Sequence, residues 1–295
     1  MSASTFDLPV RPVCEGILDL PDARLFVRQF GESGPRLLVV HGGPDWDHTY
    51  FLPYLLPLFE HLRLTFFDLR GCGRSQRFGD PRRYHLDLAV DDLAWLVRHY
   101  QPDALLGFSY GGRIALRLVD RYPELACPLI LASTTAYEDF RPELEAWAAY
   151  RERDTDEVRA ELAAMLADPA LSDEEKTRRM AALTAPLNIY DLALLPELRA
   201  VLDRVAFSGE WMSALRAGLL AGVRHADYAQ RLAALGIPVL LLHGEQDMCF
   251  PVSVARRLAA AVPRARLVVL PRAGHLAHIE ASAGWNAAVL AFMGI

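Results

Sequence analysis

Gly107-Phe108-Ser109-Tyr110-Gly111 stands between a short apolar run and a segment with helical spacing. A serine between two glycines at a strand-to-helix junction suits a sharp, strained turn, because glycine lacks the Cβ atoms that would clash and the hydroxyl is pushed out of the fold. Five residues of this pattern recur by chance, so the flanks decide. Pro102-Asp103-Ala104-Leu105-Leu106 reads as a buried strand entering the turn. Arg113 to Tyr122, with Ile114, Leu116 and Leu118 among strong helix formers, reads as the helix leaving it. The pattern predicts Ser109 as a nucleophile.

A neutral serine hydroxyl needs a base whose pKa lies near working pH, and imidazole fits. In the fold that uses such an elbow, an acid and then a histidine follow in the chain. Ile237 to Gly244 is a second apolar run with Asp247 just past it, and Arg266 to Leu270 is a third, followed by Ala273-Gly274-His275. Each candidate thus lies in the loop after a strand, at the edge of a parallel sheet where sites collect. His275 is expected to take the Ser109 proton and return it to the leaving group, and Asp247 to fix the imidazole tautomer.

Rivals exist for each role. A loop aspartate also serves as a turn or helix cap. Glu245 competes for the acid role, and His278 competes with His275. The three-residue spacing of the two histidines also suits a pair of metal ligands on one helical face, but no third ligand cluster accompanies them, so no metal is expected. His275 is preferred because it directly follows the strand and Gly274, whereas His278 reads as part of the last helix.

Donors for a tetrahedral oxyanion complete the set. Leu37 to Val40 is a buried strand running into His41-Gly42-Gly43-Pro44. The backbone N–H groups of Gly43 and of Tyr110, next to the nucleophile, are the expected oxyanion hole. His41 reads as a residue that orders this loop rather than as a base.

Strands are expected at Arg24 to Phe30, Leu37 to His41, Leu62 to Asp68 and Leu129 to Ala132, and a helix at Leu86 to Tyr100. Strands alternating with helices imply an α/β fold built on a mostly parallel, doubly wound sheet. Strand signals vanish from about Thr135 to Gln230, which is rich in Ala, Leu, Glu and Arg. Prolines 142, 169, 186 and 196 are spaced there like breaks between helices. The expected organisation is a core of residues 1–134 and 231–295, with residues 135–230 inserted as a helical cap.

At 295 residues and 52% hydrophobic composition, the chain can fill a sizeable core. It has no run of eighteen apolar residues, and Met1 to Thr5 lacks the basic-plus-apolar layout of a signal peptide. Cys14, Cys72, Cys127 and Cys249 show neither metal nor disulfide spacing. These features set the expectation of a cytoplasmic protein that does not contact membrane. Cys72, in a glycine turn, reads as packing filler.

His41-Gly42-Gly43-Pro44, Asp68-Leu69-Arg70-Gly71-Cys72-Gly73-Arg74-Ser75, the serine elbow, Asp247 and Ala273-Gly274-His275 together resemble the α/β-hydrolase superfamily, and within it the proline iminopeptidase group. The resemblance spans roughly residues 25–132 and 235–293. Two departures stand out. Asp45 occupies a position where iminopeptidases usually carry a further glycine, and Phe108 and Tyr110 flank the serine where that group favours Gly and Trp. The resemblance implies an α/β-hydrolase fold and a serine hydrolase that releases N-terminal residues, proline first, from short peptides or amides. A carboxylesterase, a C–C bond hydrolase and a non-catalytic ligand-binding protein on the same fold are the alternatives. An epoxide hydrolase or dehalogenase would want a carboxylate at position 109.

Residues 136–230 hold 18 acidic against 11 basic side chains and the remainder 19 against 20, so the net charge of −6 resides in the predicted cap. That balance disfavours nucleic acid, whose partners need a basic surface. An acidic lid would draw in a cationic group such as a free peptide amine. Since iminopeptidases hold the substrate amine with cap glutamates, the resemblance makes Glu145, Glu197 and Glu210 candidates. Tyr137, Trp147, Tyr150, Tyr190, Phe207, Trp211 and Tyr228 are candidates for an apolar pocket or for the core of the cap. No metal or organic cofactor is called for, since serine, base and oxyanion donors supply the whole acyl-transfer chemistry.

Overall fold

Five runs of Leu, Val, Ile, Ala and Phe form the middle of one sheet: β3 (Arg36–Val40), β4 (Arg63–Phe67), β5 (Ala104–Phe108), β6 (Leu129–Ala132) and β7 (Val239–Gly244). With β1 (Cys14–Asp19), β2 (Arg24–Phe30) and β8 (Ala265–Leu270) they are arranged in the order β1-β2-β4-β3-β5-β6-β7-β8. The pairs β1–β2 and β2–β4 are antiparallel and every other pair is parallel. The computed structural model describes residues 10–220 and 227–295; Met1 to Thr5 and residues 221–226 of the predicted cap lie outside the described residues.

Both faces of the sheet are covered. Leu37 and Val39 of β3 join one apolar cluster, and Leu38 and Val40 join the other. This follows from the two-residue period of a strand, and it explains why the central strands read as continuous apolar runs. Each such fully buried Leu or Val contributes about 1.5–3 kcal/mol. Helices α1 (Leu86–Tyr100), α2 (Tyr110–Arg121), α7 (Tyr228–Leu235) and α8 (Val252–Ala261) contribute to one cluster, and α9 (Ser282–Phe292) to the other.

Between β6 and β7 the described residues contain helices and no strand. The longer ones are α3 (Asp156–Ala167), α4 (Asp173–Leu183), α5 (Leu195–Leu202) and α6 (Glu210–Arg216). Pro142, Pro186 and Pro196 stand in the first turn of a helix, where proline's missing N–H is no loss, and Pro169 alone lies in a loop between helices. Helix α7 crosses the expected boundary at residue 230 and packs on α2 and α8.

Two expected elements shift, and one strand was not expected. The elbow strand runs 104–108 rather than 102–106, because Asp103 instead accepts a hydrogen bond from the Arg36 N–H at 2.7 Å. The helix after the elbow starts at Tyr110, three residues before the expected Arg113. Strand β1, at the exposed sheet edge, was absent from the sequence reading, since a strand uncovered along most of its length carries no apolar alternation.

Candidate active site

The parallel strands β3, β5, β7 and β8 all end at the same sheet edge, and the loops that leave them carry the expected site residues. At the end of β5 the backbone of Ser109 adopts φ 51° and ψ −117°, a left-handed conformation that a side-chain-bearing residue holds only under constraint. The constraint is close packing. A Cβ on Gly107 would come within 2.7 Å of the Gly111 carbonyl oxygen and the Gly112 Cα, so β5 and α2 meet there without room for a side chain. A Cβ on Gly42 would come within 2.7 Å of the Ser109 Cβ, which shows how tightly the β3 loop abuts the serine.

Ser109, His275 and Asp247 converge. His275 Nε2 lies 3.0 Å from Ser109 Oγ, and Nδ1 lies 3.0 and 3.1 Å from the two Asp247 carboxylate oxygens. With Nδ1–H donating to the carboxylate, Nε2 is the acceptor that faces the serine hydroxyl. Asp247 is buried and also accepts the Cys249 and Phe250 N–H groups at 2.8 and 2.9 Å. Burial alone would raise its pKa, but the adjoining imidazole and these donors outweigh it and hold the carboxyl below its usual range. For His275 burial alone would lower the pKa; the Asp247 carboxylate and the Cys249 sulfur outweigh it and hold the ring well above the usual histidine range. A hydroxyl, an imidazole and a buried carboxylate in this order can move a proton from Oγ to Nε2 and stabilise the imidazolium so formed.

The rivals for these roles sit elsewhere. Glu245 is exposed. His278 does not share a face with His275; it lies in a short helix, Ala277–Glu280, ahead of α9 and is buried among Tyr50, Phe51, Phe108 and Trp285. Among the described residues neither of its ring nitrogens makes a full hydrogen bond, and burial, only partly offset by the nearby Tyr50 backbone, pushes its pKa down to about 3. His41 accepts the Leu69 N–H at Nε2 at 3.0 Å, so Nδ1 donates to the Gly42 carbonyl at 2.9 Å. Burial lowers its pKa to about 4, and it orders the loop.

The N–H groups of Gly43 and Tyr110 have no hydrogen-bond partner within the protein among the described residues. Gly43 has φ 57° and lies against the Trp46 indole. The Asp68–Ser75 segment braces this loop from below. Asp68 accepts His48 Nδ1 at 2.6 Å and the Arg74 N–H at 2.9 Å, and Arg70 makes a bidentate pair with buried Asp92. The Cys72 sulfur accepts the Asp45 N–H at 3.3 Å, and burial pushes its thiol up, out of the reactive range.

Asp45, which departs from the iminopeptidase glycine, fastens the helical segment. Its carboxylate accepts the Ser208 hydroxyl and the Trp211 and Met212 N–H groups at 2.7–2.9 Å, capping α6 from another part of the chain. Glu280 does the same from the His275 side: it accepts the Tyr190 and Asp191 N–H groups at 2.8 Å and the Gly274 N–H at 2.5 Å. Neither role was legible in the sequence, because both join residues about 90 or more positions apart.

The acidic candidates Glu145, Glu197 and Glu210 have other partners: Glu145 pairs with Arg141 at the surface, Glu197 accepts the Tyr54 hydroxyl at 2.7 Å, and Glu210 bonds Tyr84. Phe207 and Trp211 are core residues, while Tyr137, Trp147, Tyr150, Tyr190 and Tyr228 are partly exposed. Three residues without an expected role lie beside His275. Phe250 and Phe108 place their rings 5.6 and 5.2 Å from the imidazole, and the Cys249 sulfur lies close by. Cys249 and Phe250 stand two and three positions after Asp247, a spacing that signals contact with the acid but not with His275. No helix among the described residues is long and apolar enough to cross a membrane.

Comparison with known proteins agrees with this architecture. A proline iminopeptidase of Levilactobacillus brevis is 29% identical over 266 residues, covering 85% of each chain. A pimeloyl-[acyl-carrier protein] methyl ester esterase of Pectobacterium atrosepticum is 28% identical, covering 92% of this chain and 98% of that one. The crystal structure of a proline iminopeptidase-related protein from Thermus thermophilus superposes with a TM-score of 0.68 at 27% identity, covering 97% of this chain and 99% of the other. Residues 35–282 match the family described as alpha/beta hydrolase fold, and the chain belongs to the α/β-hydrolase family.

Proposed function

We propose that this α/β-hydrolase is a serine hydrolase working through an acyl-enzyme, with residues 135–230 acting as a cap over the site. The observation that carries the reading is the relay from Ser109 Oγ through both nitrogens of His275 to Asp247. Ser109 attacks the substrate carbonyl while His275 Nε2 takes its proton, and the negative oxygen receives the N–H groups of Gly43 and Tyr110. Losing one such donor removes about 3–4 kcal/mol of transition-state stabilisation. The imidazolium then protonates the leaving amine or alcohol, the Ser109 acyl ester remains, and water activated by the same histidine releases the acid.

Release of N-terminal residues, proline first, from short peptides or amides is the activity supported by the iminopeptidase relatives. An ester substrate is the second reading. It is favoured by the partners that Glu145, Glu197 and Glu210 already have, the three acidic candidates for holding a substrate amine. Purified protein assayed on prolyl-naphthylamide and on a short p-nitrophenyl ester separates the two. Hydrolysis of the amide is the expected result, and fast ester turnover with none on the amide defeats the peptidase reading. Ser109→Ala is expected to stay folded and to lose activity on either substrate by about three or more orders of magnitude. Unchanged turnover removes Ser109 from its role.

A further inference from the structure

Four free cysteines are distributed over the chain, and one of them stands among groups of different chemistry. The Cys249 sulfur, a carboxylate oxygen of Asp247 and a ring nitrogen of His275 lie within 4.8 Å of one another. Among the described residues no other trio of His, Cys, Asp and Glu converges in this way. Asp247 and His275 are buried, whereas Cys249 is partly exposed. On its other side the thiol lies 3.7 Å from Oδ1 of Asn188, whose own amide N–H is engaged by the Thr184 carbonyl at 3.0 Å.

We propose that Asp247, Cys249 and His275 form a site for a thiophilic divalent cation, Zn2+ or Cd2+, whose binding switches the hydrolase off. The donor set is one thiolate, one imidazole and one carboxylate, the mixture that zinc prefers. Ligands around one tetrahedral zinc lie about 3.5 Å apart, so the trio closes on an ion with side-chain shifts of about an ångström. Water or Asn188 Oδ1 fills the fourth position. Binding releases the thiol proton, together with the Nδ1 proton if that nitrogen is the ligand, so affinity falls as pH falls.

Inhibition follows whichever ring nitrogen the cation takes. On Nε2 it occupies the lone pair that must receive the Ser109 proton. On Nδ1 it displaces the proton that binds the ring to Asp247. Only this consequence rests on the serine-hydrolase reading; the binding does not.

Cd2+ titration, followed through the ultraviolet thiolate-to-metal charge-transfer absorption, reads binding directly, and p-nitrophenyl acetate hydrolysis with added Zn2+ reads the consequence. The wild type is expected to gain the absorption with one Cd2+ per chain and to lose turnover reversibly, with recovery on EDTA. Cys249→Ala, compared with its own metal-free turnover, is expected to lose roughly a hundredfold in metal affinity and in sensitivity to Zn2+. Ser109→Ala is expected to bind Cd2+ as the wild type does. Absence of the absorption in the wild type, or equal inhibition of wild type and Cys249→Ala, overturns the proposal. Cd2+ binding by a wild type that hydrolyses neither ester nor amide leaves the metal site standing and sinks the hydrolase reading.

Discussion

The strand-built half of the molecule and its helical half reach the same site by different physics. Ser109, Asp247 and His275 project from the ends of β5, β7 and β8, whose register is fixed by ladder hydrogen bonds and two apolar clusters. The helical segment adds residues to both apolar clusters, Leu198 and Phe207 to one and Trp211 and Ala214 to the other, but beside the site it is fastened by carboxylates that take its backbone N–H groups. Asp45, with Asp47 accepting the Ala206 N–H at 3.3 Å, holds it next to the Gly42–Gly43 loop, and Glu280 holds it next to the His275 loop. Apolar burial is spread over many residues and fails cooperatively, whereas a carboxylate clamp is lost with one side chain. The proposed relay is therefore as robust as the sheet, and the proposed cap is fastened beside it by a few atoms.

Asp247→Asn tests the sheet side and carries the largest expected effect. The amide leaves the packing nearly unchanged but favours the wrong imidazole tautomer, so turnover is expected to fall by about 10⁴-fold with little change in stability. The pH profile sharpens it. In the wild type the base must be neutral and its pKa is raised, so kcat/KM is expected to fall as pH drops through a point above the usual histidine value. In the variant a neutral amide no longer holds the proton on the ring, and with burial opposed by the Cys249 sulfur alone the acidic limb should move to lower pH. A limb that stays in place separates His275 from Asp247.

Glu280→Gln and Asp45→Gly probe the clamps. Glutamine retains one acceptor oxygen for the Tyr190 and Asp191 donors but turns its NH2 group toward the Gly274 donor, a loss of about 1–3 kcal/mol. Because one of those donors is Gly274, next to His275, kcat/KM is expected to drop about ten- to a hundredfold. Asp45→Gly relieves a residue at φ 74° yet strips acceptors from Ser208, Trp211 and Met212, for a net loss of about 1–2 kcal/mol. Hydrogen exchange is the discriminating readout for both. Protection should fall in α6 and around Tyr190 while β3, β5 and β7 keep theirs; even loss through the strands would erase the contrast.

His278→Leu belongs to the apolar side and carries the smallest effect. The ring is buried and makes no full hydrogen bond among the described residues, so removing its polar atoms is expected to change stability at neutral pH by less than about 1 kcal/mol. The sign with pH is definite. The unfolded ring binds a proton below about 6.5, whereas the folded ring resists it until about 3, so the wild type loses stability as pH falls through that window. His278→Leu should lose less there, in denaturant melts at pH 5 and 7.

The central strands and the elbow were legible because a buried parallel strand is written as a local apolar run and an elbow as adjacent glycines. Asp247 and His275 were legible because each follows such a run. Strand β1 was not, since an exposed edge has no pattern to read. The clamps at Asp45 and Glu280 and the closeness of Cys249 to His275 were not either. They depend on which distant backbone meets each side chain, and that information resides in the packing. The departure of Asp45 from glycine marked an unusual position, though not its partner on α6.

Treatment with a fluorophosphonate, followed by intact mass and peptide mapping, tests the central claim most directly, because only a hydroxyl activated by a neighbouring base reacts stoichiometrically. One adduct per chain on Ser109, abolished in His275→Ala, is the predicted result. An unlabelled wild type, or an adduct on another residue, contradicts the account.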